Sequence, residues 1–424
     1  MDKIIITINT ILGVSMFILY LYQFYYIFVA ITRRPKQYDP TDQSKRYAFL
    51  IAARNEEKVI SNLLNSIKDQ DYPSQNIDIY VVADNCTENT ADIARSCGAT
   101  VIERTDTNNV GKGYALNFLL KNISANKGIL HYDAYFVFDA DNILEKNYVT
   151  EMDKAFSAGS RVVTSYRNSK NYGQSWVSSG YALWFLREAR YLNNSRSLLG
   201  VSGAVSGTGF MVSSAVFEKN KGWKHHLLTE DIEFSVDMII RGEVIGYCHS
   251  AMFYDEQPVT FRQSFRQRLR WAKGFLQVYR NYGLKLFLGI FRRNAFSCFD
   301  MSMSIMPAFF FTVGSIIINW GSAIFSLIRF GSVSETILYY CFHFIVVSYA
   351  LMFIIGLLTI VSERHRIYCN MEKAATHLFL FPIFMMSYIP ISIIAIFAKV
   401  GWKQITHSVS VSIEDMKKND TMAN

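Results

Sequence analysis

Hydrophobic positions run almost unbroken from Ile4 to Ile31, and Thr32-Arg33-Arg34-Pro35-Lys36 then ends the run. That length suffices to cross a bilayer, and the basic flank predicts a cytoplasmic end. A cleavable leader has a shorter apolar core and a small-residue cleavage site, so this segment reads as a span or signal anchor. From Tyr47 to about Thr260 no apolar run reaches membrane length. Instead, short apolar runs alternate with amphipathic ones. Tyr47–Ala53, Ile77–Ala83, Thr100–Ile102 and Tyr135–Phe138 read as strands; Val59–Ile67, Thr90–Cys97 and Ile232–Ile240 read as helices. Such alternation predicts a mostly parallel sheet covered by helices, with ligands at the carboxyl ends of the strands.

Long apolar runs return at Met301–Leu327, Thr336–Val361 and Ala374–Val400. Between the domain and these runs, Phe261–Phe291 mixes Arg and Lys with Phe, Leu and Tyr, which suits helices lying in the membrane interface. The predicted layout is therefore a transmembrane helix with its basic flank (1–36), a soluble domain facing the cytoplasm (37–260), interfacial helices (261–299), about three transmembrane helices (300–400) and a polar tail (401–424). Charge opposes part of this layout. Four crossings put the tail outside, whereas Lys399, Lys403, Lys417 and Lys418 favour the inside, as Arg292-Arg293 and Ser362-Glu363-Arg364-His365-Arg366 do. Three solutions remain open: the tail breaks the charge rule, one segment is re-entrant, or 301–330 conceals a break near Pro307 or Asn319.

Half of the residues are hydrophobic, with 32 Phe and 25 Tyr, and the net charge is +8. Because the basic residues crowd beside apolar segments, they point to anionic headgroups and phosphorylated substrates. No zinc finger or RNP-like strand is present, which argues against nucleic acid. The six cysteines lack CxxC or metal-ligand spacing and read as reduced packing residues.

The polar residues sit where the strands end. Asp139-Ala140-Asp141 closes an apolar run, and two carboxylates one residue apart can share a divalent ion, leaving its other positions to water and diphosphate. A surface turn would also tolerate the triplet. Arg54-Asn55-Glu56 and Asp84-Asn85 follow the first two strands and could hydrogen-bond a nucleobase and ribose; helix capping by either Asn is the alternative. Gly111-Lys112-Gly113 lacks the spacing of a P-loop, leaving a loop that carries Lys112 to a phosphate, or a plain turn. Thr229-Glu230-Asp231 precedes a helix, as a cap with acids favouring the dipole or with Asp231 as general base. His225 and His226 have no ligand pattern and read as surface or packing residues. In Gln267-Arg268-Leu269-Arg270-Trp271, helical spacing puts Gln267, Arg270 and Trp271 on one face, an arrangement for phosphate and a sugar ring or for a membrane surface.

Taken in order, Arg54-Asn55-Glu56, Asp84, Gly111-Lys112-Gly113, Asp139-Ala140-Asp141, Thr229-Glu230-Asp231 and Gln267-Arg268-Leu269-Arg270-Trp271 resemble the motifs of membrane-integrated family 2 glycosyltransferases. That group contains cellulose, hyaluronan and poly-N-acetylglucosamine synthases. The pentapeptide after an acidic triplet is the specific part. The resemblance covers Tyr47 to Trp271; one apparent departure is the single span ahead of the domain, where several synthases have more. It implies a GT-A fold, a nucleotide-sugar donor (a UDP-sugar), Mg²⁺ or Mn²⁺ at Asp139 and Asp141, and inversion at the anomeric carbon. Asp231 would be the catalytic base. Arg54, Glu56, Asp84, Lys112, Asp139, Gln267 and Arg270 would face the donor, and Trp271, Gly207 and Thr208 the acceptor. Ser206-Gly207-Thr208-Gly209 resembles a small-residue segment near the acceptor end of such enzymes. The expected product is a β-linked polysaccharide made processively at the cytoplasmic face of a multi-pass plasma-membrane protein, with an export subunit as a possible further partner. Single transfer to a lipid or lipid phosphate is the nearer alternative. A transporter or scaffold that merely binds nucleotide sugar is the other; its intramembrane candidates are His343 and His377, with Asp300 at a span entrance.

Overall fold

The computed structural model describes residues 2–292, 294–402, 413, 414 and 416. Arg293, Lys403, Lys417 and Lys418, used above to weigh topology, lie outside the described residues. The soluble domain is built on one eight-stranded sheet in the order β3-β2-β1-β4-β7-β6-β8-β5. The strands are β1 Tyr47–Ala53, β2 Ile77–Asp84, β3 Thr100–Arg104, β4 Ala134–Asp139, β5 Ile143–Leu144, β6 Val162–Ser169, β7 Phe210–Ser213 and β8 Ile245–Asp255. β1 to β4 run parallel, and β6 pairs parallel with β8. β7 is antiparallel to both of its neighbours, and β5 is antiparallel to β8. The sheet is thus mostly parallel, as expected.

Alternate side chains of each parallel strand feed opposite faces. Phe49, Ile51, Phe136 and Phe138 pack on Leu63, Leu64 and Ile67 of the helix Ile60–Lys68. Ala48, Leu50, Tyr135 and Val137 pack on Leu116, Leu119 and Leu120 of the helix Lys112–Lys127. Burial on both faces explains why these strands read as continuous apolar runs. β2, β4 and β8 end on Asp84, Asp139 and Asp255, so the carboxylates gather along one edge of the sheet.

Four helices are long and apolar enough to cross a membrane: Asp2–Thr32, Ala308–Phe330, Glu335–Arg366 and Met371–Phe397. The expected run 301–327 is divided near Pro307, into helices Ala295–Ile305 and Pro307–Phe330. Proline at a first helical position lacks only an N–H that would go unpaired anyway, so a new helix starts there readily. Asn319 makes no break; it exchanges amide hydrogen bonds of 2.8 and 2.9 Å with Asn9 of the N-terminal helix.

The last apolar segment is fastened to the soluble domain along its length. Before it, Glu363 accepts from Tyr166 at 2.6 Å and pairs with Arg190 and Arg366. Within it, His377 Nδ1 lies 2.7 Å from Ser179 Oγ, and Phe384 packs where Gly180 has no side chain. Arg268 donates to Phe384 O at 2.9 Å and to Ser387 Oγ at 2.7 Å, at the joint between helices Met371–Met386 and Tyr388–Phe397. Lys273 Nζ donates to Ala395 O at 3.0 Å. After it, the Trp402 ring sits 4.9 Å from the Arg54 guanidinium. Both ends of this segment therefore meet the same domain.

Candidate active site

At the ends of β1 and β2 the chain turns through left-handed backbone at Asn55 (φ 54°) and Asn85 (φ 53°), a conformation asparagine tolerates better than most residues. Neither Asn caps the next helix, since the N-cap positions are Val59 and Asn89. Asn55 Oδ1 instead accepts from Thr87 N at 2.8 Å, and Asn85 Oδ1 from Asp106 N at 3.0 Å, tying adjacent loops together. Asp84 is buried against Arg104, whose other arm holds Asp106 Oδ2 at 2.9 Å and Asn109 O at 2.8 Å. Burial raises the Asp84 pKa, while the Arg104 guanidinium pulls it down.

Four distant stretches meet beside Asp139. Gly111 precedes the helix Lys112–Lys127 with φ 138°, and the first helical residue, Lys112, reaches across to the Asp139 carboxylate and to Gly207 O at 2.7 Å. The motif is thus a helix start that delivers a lysine. Gly207 turns at φ 85°, and a Cβ there would lie 3.7 Å from Asp231 Oδ2. Asp139, Lys112, Gly207 and Asp231 accordingly line one cleft. Thr208 stands beside it but is spent on the scaffold: its hydroxyl accepts from Asp139 N at 2.9 Å and donates to Asn142.

Asp231 lies in the first turn of the helix Glu230–Ile240. Thr229 holds the N-cap position without a capping side-chain bond, and its buried hydroxyl has no partner among the described residues. Burial raises the Asp231 pKa against the pull of the Ile232 N–H, Lys112 and Arg270. Burial first, and then the Asp231 charge, push Glu230 up to about 7. Glu230 is thereby suited to exchange a proton near neutrality, and burial moves its neighbour Asp231 in the same direction.

Gln267, Arg270 and Trp271 belong to the long helix Phe261–Gly289, which Thr260 caps by accepting from Gln263 N at 3.3 Å. Arg270 donates to Leu228 O at 3.2 Å, drawing this helix against the acidic triplet. The approach is close, because a Cβ on Gly274 would collide with Thr229. Trp271 meets Tyr181 and Phe185 edge-on at 5.7 and 6.5 Å, and Gln267 Oε1 is buried with no partner among the described residues. Arg268, between them in sequence, is fully buried against Phe384 and Tyr388.

Sequence reading missed several supports. Arg167 pairs with Asp255 and donates to Ser206 O at 3.0 Å; Asp255 also accepts from Asn142 Nδ2 at 2.8 Å and Gln257 Nε2 at 3.0 Å. This network braces Asp139 and the Gly207 turn together. Arg104 and Trp402 were missed too, since neither stands in a local pattern. Only Asp255, an acid closing a strand, carried the signal that marked Asp139. His225 bonds Asp237 at 3.1 Å and His226 stacks on Tyr114 at 4.2 Å, both in packing roles as expected.

Asp139 and Asp141 are hard oxygen donors at the end of β4, and no group of three His, Cys, Asp or Glu side chains arranged to hold an ion occurs among the described residues. Two carboxylates fit a divalent ion whose remaining positions belong to a phosphorylated ligand, rather than a closed structural site.

Residues 45–274 match the model of a family described as Glycosyltransferase like family 2. Among curated relatives, a β-monoglucosyldiacylglycerol synthase of Nostoc is 26% identical over 290 residues, covering 65% of this chain and 59% of that protein. A poly-β-1,6-N-acetyl-D-glucosamine synthase of Staphylococcus aureus is 25% identical over 244 residues, covering 56% of each. The chain thus spans less than two thirds of the length of these relatives. Among solved structures, a mannosyltransferase of Pyrobaculum calidifontis in complex with GDP-Man and Mn²⁺ superposes with a TM-score of 0.52 at 13% identity, over 92% of this chain and 98% of that one. At that identity the likeness speaks for the fold, a GT-A-like mixed sheet. The match over more than half of the chain makes this protein a glycosyltransferase of family 2.

Proposed function

We propose that this enzyme is an inverting, metal-dependent glycosyltransferase that extends a β-linked polysaccharide from a UDP-sugar at the cytoplasmic face of the plasma membrane. The observation that carries the reading is the convergence of Asp139, Lys112, Gly207 and Asp231 in one cleft. Asp231 accepts the proton of the acceptor hydroxyl as that oxygen forms a bond to the donor's anomeric carbon. The bond from that carbon to the diphosphate breaks on the opposite face, and the nucleoside diphosphate leaves. Arg270 and Lys112 offset charge on the departing diphosphate. Asp139 and Asp141 would hold Mg²⁺ or Mn²⁺, which supplies Lewis-acid stabilisation of that leaving group.

Asp84 supports a uridine donor. Its Oδ1 is bonded by both Arg104 and Asn85, which leaves Oδ2 for a single imide N–H, with a guanidinium alongside for the flanking carbonyl. Guanine presents two adjacent N–H donors and asks for both oxygens. Arg54 and Glu56, at the end of the neighbouring strand, complete this end of the cleft, under Trp402.

The helix Phe261–Gly289 would lie in the membrane interface and carry Trp271 to the acceptor. The segment Met371–Phe397 would enter and leave on the cytoplasmic side, because both of its ends touch the soluble domain. The N-terminal helix and the helices Ala308–Phe330 and Glu335–Arg366 would then cross.

A second reading, single transfer to a lipid, is favoured by the surroundings of Trp271. The indole packs beside Tyr181, Phe185 and the apolar side chains of Met371–Met386, a wall as suited to acyl chains as to sugar. Incubating the detergent-purified enzyme with individual nucleotide sugars and sizing the product tests both. Polymer digestible by β-specific glycosidases supports the first reading; one sugar on lipid refutes it.

A further inference from the structure

Lys170 follows β6 and belongs to none of the motifs that mark the cleft. It is only 7% exposed, and its ammonium has no hydrogen-bond partner among the described residues. The backbone ties it to the end of β8, which in turn touches Asp141. Lys170 N donates to Asp255 O at 2.9 Å, and Glu256 N, one residue further, donates to Asp141 Oδ2 at 3.3 Å. The charges acting on the ammonium are those of Asp141, Glu256, Asp255 and Glu56, with burial opposing them and lowering its pKa. Three buried N–H donors without an acceptor are costly, and a protein retains such a group where a ligand completes it. None of the nearby acids accepts a hydrogen bond from it. The missing partner is therefore an acceptor that arrives with the ligand, at the position where Asp141 meets a diphosphate.

We propose that Lys170 is a direct ligand of the donor's diphosphate, binding its oxygens independently of the divalent ion. The assignment rests on the nucleotide-sugar reading above and adds to it a cation from the residue that follows β6. It predicts that the diphosphate contributes to affinity even when the metal is removed.

The test is calorimetric titration of the full-length protein in detergent with UDP and, separately, with uridine, both in excess EDTA. The wild type should bind UDP more tightly than uridine. Lys170→Met, close in length but uncharged, should weaken UDP binding about tenfold or more, the scale of a lost charge-assisted hydrogen bond, and leave uridine unchanged. Lys170→Arg should recover part of the difference. If Lys170→Met binds UDP as the wild type does, or loses UDP and uridine affinity in parallel, the lysine is a counter-ion of the acidic neighbours and the proposal fails. Should the Met variant fail to fold, the wild type decides: equal affinity for UDP and uridine in EDTA overturns the assignment. If neither compound binds the wild type, the nucleotide reading itself falls, and this inference with it.

Discussion

Two buried polar clusters in this enzyme contrast with each other. Below the domain, Asp300 accepts from Arg196 Nε at 2.7 Å and Nη2 at 2.9 Å, from Tyr26 OH at 2.8 Å and from Tyr22 OH at 3.1 Å. Both carboxylate oxygens are bonded, and three chain segments are tied together where the N-terminal helix meets the helix Ala295–Ile305. On or beside the segments that carry the candidate site residues, by contrast, Thr229 Oγ1, Gln267 Oε1 and Lys170 Nζ are buried and unpartnered among the described residues. A satisfied network specifies a structure, whereas an unsatisfied one is poised for something that comes and goes. Asp300, at the entrance of an apolar segment, attracts attention in the sequence as an ionisable group near the membrane, yet its geometry is that of a clamp.

The sharpest way to break this comparison is at Asp231. Asp231→Asn should lower turnover by about two to four orders of magnitude, the scale of a lost general base, while leaving UDP affinity and the melting temperature near wild type. Intact turnover with reduced thermal stability would instead make Asp231 a helix-start residue. Asp141→Asn should likewise abolish transfer in a folded protein, because it removes a carboxylate from a hard-cation site. Full activity of that variant, or of the wild type in excess chelator, would remove the metal from the mechanism.

The clamp should show the opposite signature. Arg196→Met leaves Asp300 buried without its cation, which costs about 3–5 kcal/mol of stability, read as a large drop in melting temperature. The catalytic constants of the molecules that remain folded should change little. Loss of activity without loss of stability would move Asp300 and Arg196 into the active machinery.

A smaller effect lies in pH dependence. Glu230 is raised from 4.5 to about 7, so its burial is tolerated at low pH and becomes unfavourable as pH rises through that range. Glu230→Gln should therefore match the wild type near pH 4 and be the more stable protein above pH 7, as followed by thermal melts. Melting curves that stay parallel across that range would contradict the raised value. The smallest effect is expected at Trp271. Trp271→Ala loses the edge contacts to Tyr181 and Phe185 and the acceptor platform, worth about 0.5–1.5 kcal/mol beyond area burial. Shorter polymer with continued slow donor hydrolysis fits the polysaccharide reading, and one lipid product of unchanged size fits single transfer.

The β1–β4 half of the sheet was legible because β1 and β4 are buried on both faces and read as apolar runs, and because β2 and β4 end abruptly in acids. The other half was not. β8 interrupts its apolar positions with the half-buried polar pair His249 and Ser250, and its strongest landmark, Asp255, acquires meaning only beside Arg167 and Asn142. Gly111-Lys112-Gly113 could be recognised as a motif, but its reach to Gly207, 95 residues away, could not.

By itself the sequence determined the kind of chemistry and the materials for it: membrane-length apolar segments flanking a mostly parallel α/β domain, carboxylates at strand ends, and an amide, a guanidinium and an indole on one helix face. These follow from periodicity and residue type, which are local properties of the chain. Tertiary structure alone decided which groups remain unsatisfied, which close into a clamp, and that both ends of the last apolar segment meet the α/β domain. Each of those depends on partners far apart in sequence, as when Arg54 meets Trp402 or Arg196 meets Asp300, and a hydrogen bond or ion pair exists only once the fold has brought both ends within a few ångströms.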